Sequence, residues 1–169
     1  MGLLSKDAES LKGLYTTQLR YMYSMEKQIV DGLPKMIEAA TEPQLKEAFQ
    51  THLQETKTHV RRIEQILSEA AGEASDKKCA VTVALIAAGE GVVKETPAGP
   101  IRDAGLIASA QKIEHFEMAS YGSAIAWAKN LGYDSQAQLL HQTLEEEKHA
   151  DQVLTGVAES ANPKASRAA

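Results

Sequence analysis

Seven side chains able to hold a cation fall on the apolar stripes of helical segments: Glu26, Glu55, His59, Glu114, Glu117, Glu147 and Asp151. Taking a carboxylate out of water costs roughly several kcal/mol even after relaxation. An acid on a core face therefore asks for a compensating charge. Glu55 and His59 are four residues apart, as are Glu147 and Asp151, which sets each pair about 40° apart around a helix. Glu114 and Glu117 are separated by about 60°. All three pairs can point into one interior, where Glu26 joins them. The acids among them would repel strongly at low dielectric, and two divalent or trivalent cations would offset most of that repulsion. Hard oxygen donors with an imidazole suit iron, manganese or zinc, and carboxylates from facing helices build the dimetal sites of helical bundles.

The competing reading makes each acid a boundary residue that reaches solvent, with Arg62, close to the Glu55 meridian, forming a salt bridge instead. His52 reads as an ordinary packed histidine. Tyr121 reads as core, with a hydrogen bond to a metal-bound carboxylate as the sharper option. Glu146 and His149 make a formal Glu-x-x-His pair, but both point away from the apolar line of their helix. His115 and His141 lie off the core stripes. Cys79, in the apolar run Lys78-Cys79-Ala80-Val81, reads as a buried, inert thiol.

Long amphipathic helices must position these groups. The first spans about residues 7–40, with Gly32 and Pro34 expected to bend or interrupt its end. Thr41-Glu42-Pro43-Gln44 reads as a capping box opening a second helix that stops at Gly72. A shorter apolar helix covers about 77–94 and ends at Thr96-Pro97-Ala98-Gly99-Pro100. The next runs over about 101–129. The last is capped by Asp134 or Ser135. The expected fold is all-α: a four-helix, ferritin-like bundle of two helix hairpins, joined by a long crossover that carries the short fifth helix. Residues 1–160 form one domain, and residues 161–169, which lack an apolar pattern, a flexible tail.

Composition agrees and excludes alternatives. The 169 residues carry 18 basic and 23 acidic side chains, a formal charge of −5, against a nucleic-acid surface. One cysteine permits no internal disulfide, which favours a reducing cytoplasm. No run reaches the roughly 18 apolar residues of a membrane span, and the first residues lack a secretory leader pattern. No phosphate-binding glycine loop or nucleophile elbow is present.

Several stretches together resemble the bacterial YciF-like ferritin-like stress proteins. They are Tyr23-Ser24-Met25-Glu26-Lys27-Gln28, His52-Leu53-Gln54-Glu55-Thr56, Ile101-Arg102-Asp103-Ala104, Gln111-Lys112-Ile113-Glu114-His115-Phe116-Glu117, Tyr121-Gly122 and Thr143-Leu144-Glu145-Glu146-Glu147-Lys148. The resemblance covers nearly the whole chain. It implies a ferritin-like bundle with a dimetal-type site, a homodimer, and a part in the bacterial stress response. Glu114-x-x-Glu117-x-x-x-Tyr121 is also similar to the third bundle helix of rubrerythrins. Carried over residue by residue, Glu26, Glu55, Glu114, Glu117, Glu147 and Asp151 match the acidic positions. Two functions stay open: a protein binding two ions, iron foremost, that acts on peroxide or dioxygen, and a non-enzymatic interaction bundle with a vestigial or salt-bridged acidic site.

Overall fold

Five helices make up the computed structural model, which describes residues 9–168: α1 (Leu11–Ala39), α2 (Pro43–Ala71), α3 (Ala80–Glu95), α4 (Pro100–Asn130) and α5 (Asp134–Arg167). No strand occurs among the described residues. α1 and α2 pack along each other across a three-residue turn at 40–42, and α4 and α5 do the same across 131–133. The two hairpins meet through α1 against α4 and α2 against α5, while α3 lies on α1 and α4. The interior is aliphatic, from Leu19, Met22 and Met25 on α1 to Leu140 and Leu154 on α5, with Tyr15, Phe49 and Tyr121 as its largest members. Among the described residues no helix is long and apolar enough to cross a membrane.

Helix ends follow local chemistry, with four departures from expectation. Ser10 caps α1 by accepting from the Gly13 amide, and Gly72 closes α2 at φ 77°, a left-handed conformation that suits glycine. α1 continues unbroken through Gly32 and Pro34. The capping box expected at Thr41 does not form: Glu42 takes the cap position with no side-chain cap bond, and Thr41 turns instead to Asp103. Tyr133, not Asp134 or Ser135, precedes the first turn of α5. The expected tail from residue 161 is helical as far as Arg167. It is held because Ala161 is buried and Lys164 pairs with Glu42 at the α1–α2 turn.

Both ends of the bundle are pinned by buried polar groups. At one end the Asp103 carboxylate, on the first turn of α4, accepts from the Thr41 amide at 2.7 Å, the Glu42 amide at 2.9 Å and the Thr41 hydroxyl. At the other, Tyr15 on α1 donates to Gln136 on α5 at 2.9 Å, and Gln136 reaches Glu69 on α2. The crossover between α2 and α3 is laid along α1: the Lys77 amide donates to the Arg20 carbonyl and the Cys79 amide to the Ser24 hydroxyl. α3 then comes so close to α4 that a Cβ on Gly105 would stand 2.6 Å from Val92 Cγ1.

Hydrogen bonds to a charged acceptor contribute about 1.5–3 kcal/mol each, and a buried amide left bare costs more than the bond is worth. Asp103→Ala is accordingly expected to lower the unfolding free energy in urea by about 2–4 kcal/mol. A loss below about 0.5 kcal/mol would mean that packing alone holds the α1–α2 turn.

Candidate metal centre

Midway along the bundle the aliphatic core gives way to four buried glutamates and two buried histidines. α1 supplies Glu26, α2 supplies His52 and His59, α4 supplies Glu114 and Glu117, and α5 supplies Glu147. Two groups could each hold an ion. One is His52, Glu114, Glu117 and Glu147; the other is Glu26, His59 and Glu147. Within each group the ligand atoms lie within 4.8 Å of one another, and Glu147 belongs to both. His52 Nε2 is 3.4 Å from Glu114 and 3.8 Å from Glu147. His59 Nδ1 is 2.9 Å from Glu147 and 3.7 Å from Glu26.

A further ring of groups holds these donors in place. Tyr121 donates its hydroxyl to Glu26. His59 Nε2 meets Glu146 at 2.8 Å, and Arg62 grips the same carboxylate with both guanidinium nitrogens, at 2.5 and 3.0 Å, while reaching Thr143 at 3.1 Å. With Nε2 facing a carboxylate, His59 is left with Nδ1 turned to the interior, the arrangement that orients metal-ligating imidazoles. Thr56, between the two histidines, donates to the His52 carbonyl at 2.7 Å.

The structure thus brings Glu26, His59, Glu114, Glu117 and Glu147 together and leaves two expected residues outside. Glu55 is 31% exposed; it stands 3.6 Å from His52 Nδ1 on the flank of α2. The reason is rotational. The buried stripe of α2 runs Phe49, His52, Thr56, His59 and Ile63, and Glu55 lies about 60° to one side of His52. Asp151 is 20% exposed and accepts from Gln111 Nε2 at 3.2 Å, with His115 at 3.5 Å. Arg62 pairs with Glu146, not with Glu55. His52, expected to be an ordinary packed histidine, and Glu146, expected to point away from the core, both stand at the site. Two histidines seven residues apart, and hence on nearly one meridian, are the signal for the first. The formal Glu-x-x-His pair does not place Glu146, whose flank position becomes useful only because Arg62 and His59 of another helix face it.

Burial raises the carboxyls of Glu114 and Glu117 well above the usual range, Glu117 with further help from the charges of Glu147 and Glu26. Glu147 is raised for the same first reason, although His59 opposes it. For His59 burial alone would favour the neutral ring, but Glu147 and Glu26 beside it push its pKa up to about 11. Glu55 is held low by His52. Burial would raise Glu146, but Arg62 and His59 overrule it and hold it low.

A family model described as a domain of unknown function, DUF892, matches residues 10–166. The chain belongs to this family. Its relative YciF from Escherichia coli K12 is 40% identical over 151 residues, which span 89% of this chain and 91% of that protein. The crystal structure of the E. coli stress protein YciF superposes with a TM-score of 0.88 at 38% identity, covering 92% of this chain and 99% of the other. YcfI from Rhodopseudomonas palustris gives 0.86 at 35% identity, over 90% and 98% of the two chains. The DUF892 fold is therefore shared over almost the full described length.

The shifted groups set the pH dependence of the metal-free protein. Glu114, Glu117 and Glu147 have raised folded pKa values, so they oppose folding as pH climbs above 4.5. His59 contributes fully below 6.5, and its contribution is lost as pH rises towards 11. Glu55 and Glu146 act oppositely: their contribution is present above 4.5 and lost as pH falls through their lowered values. Thermal melting without metal is expected to peak at about pH 5–6 and to fall towards about pH 8. A melting temperature flat or rising across that interval would contradict the charge pattern.

Proposed function

We propose that this chain is a ferritin-like, metal-binding protein of the bacterial stress response, with two ions held among α1, α2, α4 and α5. Iron is the first candidate, with manganese or zinc as alternatives. The reading is carried by the donors that find no hydrogen-bond partner in the interior. They are both ring nitrogens of His52, Oε2 of Glu26, Glu114 and Glu147, and both carboxylate oxygens of Glu117. Each buried orphan costs about 1–3 kcal/mol, and a charged one more. Cations would serve all of them at once, and a mixed carboxylate–imidazole set fits iron, manganese and zinc. Glu147, common to both groups, is the candidate bridge.

A bound iron or manganese pair would supply two electrons, one from each ion, for reducing peroxide or dioxygen. The chain's own part is positioning. Tyr121 fixes Glu26, and the Arg62–Glu146 pair fixes the His59 ring, so the donors are oriented beforehand. A groove of about 340 Å3 between α2 and α5, bordered by Glu55 and His149, runs to His52 and Glu114 and offers a small oxidant its way in. Turnover would make the protein an oxidoreductase of rubrerythrin-like type, working in the cytoplasm with neither nucleic acid nor membrane as partner. The description of E. coli YciF as a stress protein accords with an oxidant as substrate.

A second reading rests on the ion pairs of the site. Arg62, Glu146 and His59, with His52 and Glu55, neutralise part of the acidity without any metal, as a non-enzymatic bundle would require. Metal content by mass spectrometry, on protein purified without chelator, separates the two. About two ions per chain are expected, lost in Glu117→Gln and Glu147→Gln and retained in Glu55→Gln. A folded protein that is isolated metal-free and refuses iron on reconstitution would overturn the proposal and leave the second reading.

We assign a homodimer as the working assembly. Its support is the first turn of α3, where Val81, 50% exposed, and Val83, 39% exposed, leave apolar surface on two sides of the helix. Sedimentation equilibrium should give a dimer, and Val81→Glu a monomer if this surface is the contact. A wild-type monomer would remove the assignment.

A further inference from the structure

A cavity of about 50 Å3 lies beneath α3, walled mainly by Leu33, Met36, Ile86, Val93, Ala110 and Ile113. The ion pair Lys35–Glu90, 2.8 Å between α1 and α3, belongs to the same lining. So do His52 and Glu114, the residues that also border the groove between α2 and α5. The candidate centre is therefore flanked on one side by a groove with polar walls and on the other by a space walled almost wholly by hydrocarbon. His52 is buried with both ring nitrogens unpartnered, and Glu114 has an unpartnered oxygen.

Polar partners stand at the edges of this space, at His52, Glu114 and the Lys35–Glu90 pair. The part walled by Ile86, Ala110 and Ile113 offers a water none of the two to four partners it needs, and apolar spaces of that kind stay dry while accepting benzene or xenon. This space is smaller than the roughly 150 Å3 that admits benzene, and it suits a molecule of two or three heavy atoms. We infer that the cavity beneath α3 is a binding site for a small apolar gas molecule of dioxygen's size, delivered to the His52–Glu114 edge of the centre. Its use in chemistry rests on the proposed function; its occupancy does not. α3 acquires a purpose in this light. Apart from Thr82 and Gly89 its residues are not fully buried, so it contributes little to the core, yet Ile86, Gly89 and Val93 close the cavity. Gly89 lies in this wall facing α4, where a Cβ would make ordinary contact with Ser109 at 3.7 Å.

Xenon is the probe, because it reads the cavity with or without metal. Crystals of the full chain pressurised with xenon should show one atom between Ile86, Ala110 and Ile113. Ala110→Leu, which fills the space, should abolish it. Gly89→Ala, whose Cβ makes only ordinary contact, keeps the wild-type fold as a second variant and should weaken the xenon peak. No xenon in the wild type, or an ordered water in its place, would overturn the inference whatever the metal content. If metal is absent but xenon binds, the cavity stands and the dimetal reading falls. In iron-loaded protein, Ala110→Leu should slow oxidation by dissolved dioxygen while oxidation by peroxide and metal content stay unchanged. Equal slowing with both oxidants would place the effect at the centre itself and not in the cavity.

Discussion

Four carboxylates and two imidazoles in the middle of an aliphatic core are the constraint around which the bundle is arranged. None of these groups is at ease there: water is gone, and the acids press on one another. Every surrounding feature answers that tension. The histidines of α2 stand between acids from the three other long helices. Tyr121 donates its hydroxyl to Glu26. Arg62 reaches in from the flank of α2 to Glu146, which steadies His59. Such a network works only if four helices keep their register. The buried anchors at the ends, Asp103 at one and Tyr15–Gln136 at the other, fix the relative slide of the helices that carry the donors.

The crossover segment has a different role. It is bonded along α1 by Lys77 and Cys79, and it delivers α3 onto α1 and α4 at a distance that needs the glycine at Gly105. Hydrocarbon thus covers one side of the charged layer while the other side keeps a groove towards solvent. The local dielectric therefore differs across the centre, and so does the kind of molecule each side admits.

Much of this was legible in the residues. Helix number, order and approximate ends followed from apolar periodicity and from breaks such as Gly72 and Pro97–Pro100, because long amphipathic segments leave little choice of period. Glu26, Glu114, Glu117 and Glu147 stood on stripes that the structure does bury. What periodicity does not resolve is the edge of a stripe. Glu55 and His52 differ by about 60° on one helix, and which of them is covered depends on where α5 and α4 lie, a fact that no local pattern contains. The same ambiguity set Asp151 outside and brought Glu146 to the site from a position that looked solvent-facing. The capping box at Thr41 failed for a related reason: Asp103, sixty-two residues away, outcompeted a local bond. The helix beyond residue 160 was illegible because one buried alanine and one ion pair to Glu42 sustain it, not an apolar face.

The donors are divided unequally between the two hairpins. The α1–α2 hairpin brings both imidazoles and one acid, whereas the α4–α5 hairpin brings three acids and no base. Two copies of the second hairpin, exchanged between chains, would face six carboxylates at each other across a dry interior. Two copies of the first would set four imidazoles around two acids. The mixed pairing sets the two imidazoles among four acids, an excess of negative charge that a cation would offset. The charged layer therefore favours the docking of each hairpin on its complement, within one chain or between two, over the docking of a hairpin on a copy of itself.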